Sequence, residues 1–138
     1  ELDYRLEADN QRAFAKAYQG DPHFVVPQVV ASAPKVVVQE WIDGIPLSQI
    51  IREGTQEQRD LMATRLFVFA NDAPLRLEMV HGDAHPGNFM LMPGDRMRLI
   101  DFGSAPLVRR VLTTPIGPTR LLSLLYTRRS RSLSATRG

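Results

Sequence analysis

With 138 residues and 43% apolar content, the chain is long enough to enclose one hydrophobic core. It has no cysteine, which excludes a disulfide framework and any cysteine-based zinc site. The net charge of +2 conceals an asymmetry: residues 1–101 carry all 15 acids against two Lys and eight Arg, whereas residues 102–138 carry seven Arg and no acid. No apolar run reaches the roughly 18 residues of a membrane span, and Glu1-Leu2-Asp3-Tyr4 does not read as a signal peptide. The expectation is a cytoplasmic protein, at most peripheral to a membrane.

The first 18 residues read as a helix, with Leu2, Leu6, Ala13, Phe14, Ala17 and Tyr18 at helical spacing and Gly20 as its stop. Asp3, Glu7, Asn10 and Phe14 share a second face. That face is either an ordinary solvated one or a polar row that leads into an aromatic anchor and away from water. Asp21-Pro22 breaks the chain. Two strands are predicted next, Phe24 to Val30 with Pro27 interrupting it, and Lys35 to Trp41, joined by the turn Ser32-Ala33-Pro34. Trp41 is expected to pack in the core. Asp43-Gly44-Ile45-Pro46 reads as a loop and Leu47 to Arg52 as a short helix ending at Gly54.

Thr55-Gln56-Glu57-Gln58 has the form of a capping box and opens the longest helix. Leu61-Met62-Ala63 and Leu66-Phe67-Val68-Phe69-Ala70 make it apolar nearly all round, so burial on most sides is expected. Pro74 is expected to end it or to begin a second segment. A hairpin follows, Phe89 to Met92 and Arg96 to Ile100 about the turn Pro93-Gly94-Asp95.

The chemistry concentrates in His81-Gly82-Asp83-Ala84-His85-Pro86-Gly87-Asn88 and Asp101-Phe102-Gly103. A loop before a hairpin and a carboxylate at its end bring oxygen ligands to one place, and magnesium wants hard oxygen ligands while leaving positions to water and phosphate. A histidine two residues before an aspartate, an asparagine five after it, and D-F-G on the next strand is the grammar of the protein-kinase catalytic set. His81, Asp83, Asn88 and Asp101 fill those slots. A zinc or manganese site on His81 and His85 is the lesser alternative, because it leaves more of these residues unexplained.

These motifs, with Glu1-Leu2-Asp3, Glu7-Ala8, Asn10, Val25-Val26-Pro27 and Gln39 to Pro46, resemble the ABC1/UbiB family of atypical kinases, also called the coenzyme Q8 kinase-like or ADCK-type group. Aminoglycoside and choline kinases share the H-G-D-x-H-P-x-N loop, and the opening helix distinguishes them. The resemblance implies an α/β (α+β) protein kinase-like fold, present in part. It would contain helix C, part of a small antiparallel N-lobe sheet, the hinge, and the start of a helical C-lobe with its catalytic hairpin. It implies that Asp83 is the catalytic or substrate-orienting acid and that Asn88 and Asp101 hold Mg2+ on ATP. Glu7 would pair with a phosphate-orienting lysine, Glu1 and Asp3 would form the family's E-x-D element, and the backbone near Glu40 and Ile42 would meet adenine.

The family's Ala-rich phosphate loop, its strand lysine and its K-x-G-Q element all precede helix C and have no counterpart here. Lys16 and Lys35 both follow Glu7 and do not fit the lysine's place. Residues 1–105 are therefore expected to be a partial kinase-like domain and residues 106–138 a basic, poorly ordered tail. The expected function is an ATP- and magnesium-binding kinase or ATPase fragment, linked by the resemblance to ubiquinone and isoprenoid-lipid biosynthesis. The alternatives are a catalytically inactive remnant or binding module, and an aminoglycoside phosphotransferase-like enzyme. The tail's arginines suggest an anionic membrane surface or isoprenoid lipid as partner in preference to a specific nucleic acid. Nothing in the residues fixes an oligomeric state.

Overall fold

The structure, a computed structural model, describes residues 4–108. The expectations for Glu1, Asp3 and the tail beyond residue 108 lie outside those residues. The chain divides into two units, Glu1–Pro106 and Leu107–Gly138, and the elements below belong to the first.

Helix α1 runs Tyr4–Ala17 and buries Ala8, Gln11, Phe14 and Ala15. The chain leaves it through Gly20, whose positive φ of 73° is cheap only for a residue without a β-carbon. Strands β1 (Phe24–Val25), β2 (Val29–Ala33) and β3 (Val36–Gln39) follow. The turn between β2 and β3 falls one residue later than expected, because β2 runs through Ala33 to pair with Val36. Pro27, which cannot donate to a ladder, separates β1 from β2, and the two join different sheets.

That separation changes the predicted sheet. β2 and β3 form an antiparallel pair of their own, while β1 pairs in parallel with β6 in a four-stranded sheet of order β1-β6-β5-β4. The hairpin β5 (Phe89–Met92) and β6 (Arg96–Leu99) is that sheet's centre. The short strand β4 (Ile45–Pro46) pairs with β5, Ile45 opposite Leu91. The expected loop at Asp43–Pro46 thus ends in a strand that ties the hinge segment to the hairpin.

Helices α2 (Leu47–Glu53) and α3 (Gln56–Leu77) are joined at Gly54, and the capping box at Thr55 forms with both of its reciprocal bonds to Gln58. Pro74 neither ends α3 nor starts a new segment; the helix continues to Leu77 and closes on Glu78 in the left-handed conformation. Pro74 costs the helix its N–H bond to the Ala70 carbonyl, and the helix still continues for three residues beyond it.

The expectation that α3 is buried on most sides does not hold among the described residues. Met62, Phe69 and Ala73 face the core, whereas Phe67 and Leu75 are 73% and 85% exposed. The core itself is aromatic. Phe14 lies 4.9 Å from Phe102 and 6.1 Å from Phe69, and Tyr18, Phe24 and Phe69 close ring against ring. Each such pair contributes about 0.5–1.5 kcal/mol beyond its buried area. At the outer end, the Tyr18 hydroxyl donates to Asp72 at 2.9 Å and Arg76 lies over the Tyr18 ring while pairing with Asp21 and Asp72, which fastens α1 to α3. No helix among the described residues is long and apolar enough to cross a membrane.

Candidate active site

The hairpin brings the two chemical motifs together through backbone bonds. At its mouth the Ile100 N–H donates to the Asn88 carbonyl at 3.0 Å, one residue before Asp101. His81 sits behind this junction. One of its ring nitrogens, Nε2, lies 2.9 Å from the Ile100 carbonyl, and a carbonyl can only accept, so Nε2 carries the proton. Its ring packs against Phe69, Phe89 and Phe102. The histidine that precedes the catalytic loop is therefore a structural post that fixes the strand leading into Asp101. Gly82 donates to Ser104 at 2.5 Å, and a β-carbon there would stand 2.2 Å from the Ser104 carbonyl oxygen, so this approach requires glycine.

The loop itself is held by Asn88, whose Nδ2 donates to the Asp83 carbonyl at 3.2 Å and to Asp83 Oδ2 at 3.1 Å. With its amide nitrogen so engaged, Asn88 keeps its side-chain oxygen free to act as a ligand. The short 3-10 turn Pro86–Asn88 places that side chain, and His85 Nδ1 accepts from Gly87 N–H at its start. One ring nitrogen of each histidine of the lesser metal alternative is thus engaged locally, while His81 Nδ1 is buried without a partner. Among the described residues no group of three His, Cys, Asp or Glu converges on a common point. Asp83 and Asn88 are bonded to each other, and Asp101 follows the strand end that is bonded to Asn88.

Asp101 adopts φ 62°, a left-handed conformation that costs a non-glycine residue energy unless its surroundings hold it. They do. Gly103 N–H donates to Asp101 Oδ1 at 3.3 Å, and Asn10 Nδ2 donates to the Phe102 carbonyl at 2.9 Å. The second face of α1 therefore does not point at water. Glu7, Asn10 and Phe14 run along the D-F-G segment as a strip, with Phe14 on the Phe102 ring.

Glu7 Oε2 and Asp101 Oδ1 both lie within 4 Å of the point where a β-carbon on Gly103 would stand. Burial, and then the charge of Asp101, push the Glu7 carboxyl above its ordinary range. No basic side chain pairs with Glu7 among the described residues. A cation approaching from the Glu7 side would relieve both effects.

Glu40 and Ile42 stand apart from this cluster, in the turn between β3 and β4. Glu40 N–H donates to Gln28 O at 3.0 Å, and the Ile42 carbonyl accepts from Arg98 Nη1. Trp41, expected in the core, is 85% exposed, and its Nε1 donates to Asp43 at 2.8 Å. The reason is register, because β3 ends at Gln39 and leaves Trp41 in a turn that no sheet covers. Two residues that sequence reasoning passed over matter here. Gln11, fully buried on α1, donates to Pro27 O and to Gln39 Oε1 just before the hinge, and Arg98 is buried on β6. An arginine set between the apolar Met97 and Leu99 on the second hairpin strand was the available signal for the latter.

The description "ABC1 atypical kinase-like domain" matches residues 1–114. The chain is 33% identical over 112 residues to the chloroplastic protein Activity of BC1 Complex Kinase 1 of Arabidopsis thaliana, covering 78% of this chain and 16% of that one. It is 33% identical over 95 residues to the probable protein kinase UbiB of Pseudomonas aeruginosa, covering 66% of this chain and 18% of that protein. Among solved structures, that of Rv3197 from Mycobacterium tuberculosis, determined as a complex with erythromycin, superposes with a TM-score of 0.76 at 65% identity, over 78% of this chain and 28% of that one. This chain thus spans less than a third of each of these proteins, and over that span it belongs to the ABC1 atypical kinase-like domain family.

Proposed function

We propose that this chain carries the magnesium–nucleotide site of an ABC1/UbiB-type kinase or ATPase. The observation that supports this most is the bond of Ile100 N–H to the Asn88 carbonyl, which brings the residue before Asp101 beside the bonded pair Asn88 and Asp83. The donor set suits a hard divalent ion bound through one or two protein oxygens, with phosphate and water completing its shell. Asn88 Oδ1 and Asp101 would hold Mg2+, which when bound to ATP neutralises charge that develops on the phosphoryl oxygens.

Asp83, tethered by Asn88, orients the attacking hydroxyl or water and accepts its proton. Glu7 faces the same space from α1, where a cationic group would pair with its carboxylate and offset the burial and Asp101 charge that raise its pKa. The hinge backbone at Glu40 and Ile42 receives the base. Ubiquinone or isoprenoid-lipid biosynthesis is the setting proposed for the activity, at the surface of an anionic membrane. The likeness to UbiB supports that setting.

Calorimetric titration of the chain with MgATP tests the reading. Binding that requires magnesium and weakens at least tenfold in Asp101→Asn, with the fold retained, is expected. Binding indifferent to magnesium contradicts it.

The 65% identity to the erythromycin-bound mycobacterial protein supports a second reading, in which this chain also takes a macrolide. A cavity of about 550 Å3 beside α3, lined by Leu66, Phe67, Ala70, Val80 and Phe89 among others, offers an apolar surface for one. Erythromycin added to the same titration either binds or removes this reading.

A further inference from the structure

Arg98 is an anomaly of the core. It is 5% exposed, on a strand whose neighbouring residues Met97 and Leu99 are wholly buried. A guanidinium carries five N–H donors, and burying it without a carboxylate is costly. Among the described residues no carboxylate lies within 4.0 Å of it. Its Nη1 donates to the Ile42 carbonyl and approaches Met90 Sδ at 3.5 Å, and its Nε has no partner. Burial holds the Arg98 pKa below its ordinary value, partly offset by the charge of Asp43.

The hydrogen bonds at the hinge show what this expensive group accomplishes. Of the four backbone groups on Glu40 and Ile42, two are spent internally, the Glu40 N–H on Gln28 and the Ile42 carbonyl on Arg98. No described residue uses the other two, the Glu40 carbonyl and the Ile42 N–H. One acceptor and one donor remain, two residues apart. Adenine presents the complement on its pairing edge, the N6 amino donor beside the N1 acceptor. The residues on either side of Ile42 are also joined, by the Trp41 Nε1–Asp43 Oδ1 bond at 2.8 Å.

We infer that Arg98 is the positioning residue for the nucleotide base: by holding the Ile42 carbonyl it fixes the backbone of Ile42, whose N–H, in the preceding peptide unit, is left for the base. This rests on the nucleotide reading above and extends it to a residue outside the catalytic loop and the D-F-G segment. Arg98 acts on the base alone. The phosphates and the metal belong to Asn88 and Asp101, which lie at the mouth of the hairpin, two and three residues beyond the Met90–Arg98 pair.

The test separates base from phosphates by titrating the chain with MgATP and with magnesium tripolyphosphate, which has no base. Arg98→Met keeps the stem and removes the donors, and a buried charge replaced by an apolar group of similar size is commonly tolerated. The expected result is an ATP affinity lower by at least tenfold and a tripolyphosphate affinity within twofold of the parent. Arg98→Lys, which restores one donor to the Ile42 carbonyl, is expected within threefold of the parent for both.

Unchanged ATP binding in Arg98→Met overturns the inference, and so does equal loss of both ligands, which marks a purely structural role. A parent chain that binds neither ligand overturns the nucleotide reading itself, and this role with it. Hydrogen exchange on the unaltered chain gives a second measurement that is independent of any variant's folding. The Ile42 amide is expected to be protected by MgATP and not by magnesium tripolyphosphate, and equal protection by both overturns the inference.

Discussion

Asn10→Ala separates a polar residue that latches the D-F-G segment from one that merely decorates a helix. In the structure Asn10 Nδ2 reaches the Phe102 carbonyl at 2.9 Å, across 92 residues of sequence, and the bond is part-buried. Removing the donor strands a carbonyl beside a fully buried ring, and an unsatisfied buried acceptor costs about 1–3 kcal/mol. Because the bond is only part-buried, water recovers some of this, and a loss of about 1–2 kcal/mol is expected. With a urea dependence of about 1.5 kcal/mol per molar, the unfolding midpoint should fall by about 0.7–1.3 M. Asn71 is the internal control. Its Nδ2 also donates to a carbonyl, that of Phe67, but on an exposed helical face, so Asn71→Ala should move stability by no more than about 0.5 kcal/mol. Asp101 adjoins Phe102, so the same substitution should weaken MgATP binding by about 5–30-fold if the lost energy falls on the bound geometry. Equal midpoint shifts for Asn10→Ala and Asn71→Ala would refute the latch.

Two further outcomes are expected. The Glu7 carboxyl titrates above its ordinary value of 4.5 in the folded chain, from burial first and the Asp101 charge second. The folded state therefore binds more protons than the unfolded one above that pH; stability from this group is complete below 4.5 and declines as pH rises through the raised value. Glu7→Gln should match the parent in thermal midpoint near pH 4 and exceed it at pH 7.5, and an identical pH profile in both would refute this. The seven arginines after Asp101 should draw the chain to anionic vesicles, each contributing on the order of 1 kcal/mol near the surface and screened beyond about 8–10 Å. Co-sedimentation of the chain and of a version ending at Val108 checks it, and equal binding by both would exclude the tail.

The candidate site could be proposed from sequence because its residues are close in the chain and their spacing carries the chemistry. Asp83 and Asn88 are five apart in one loop, and the hairpin that follows returns the chain to Asp101. The capping box at Thr55 and the stop at Gly20 were equally local, each a side-chain or φ requirement visible in a few residues. What escaped depended on long-range pairing. β1 lies in parallel beside β6, more than 70 residues away, and nothing in Phe24–Val25 announces that neighbour. Trp41 was misplaced because its composition argues for burial, while its position one turn beyond β3 decides for exposure. The apolar face of α3 led to an expectation of burial that Phe67 and Leu75 do not meet. Arg98 was passed over because its partner is a backbone carbonyl, and a carbonyl has no sequence signature.

The most direct test of the site replaces magnesium with paramagnetic Mn2+, which accepts the same oxygen donors, and reads amide signals of the chain by NMR in the presence of ATP. Broadening strongest at Asn88, Asp101 and Gly103 and declining steeply with distance from them is the expected result. Broadening centred on His81 and His85 with Asp101 unaffected would place the ion on the histidines, and the assignment of Asn88 and Asp101 as its ligands would be wrong.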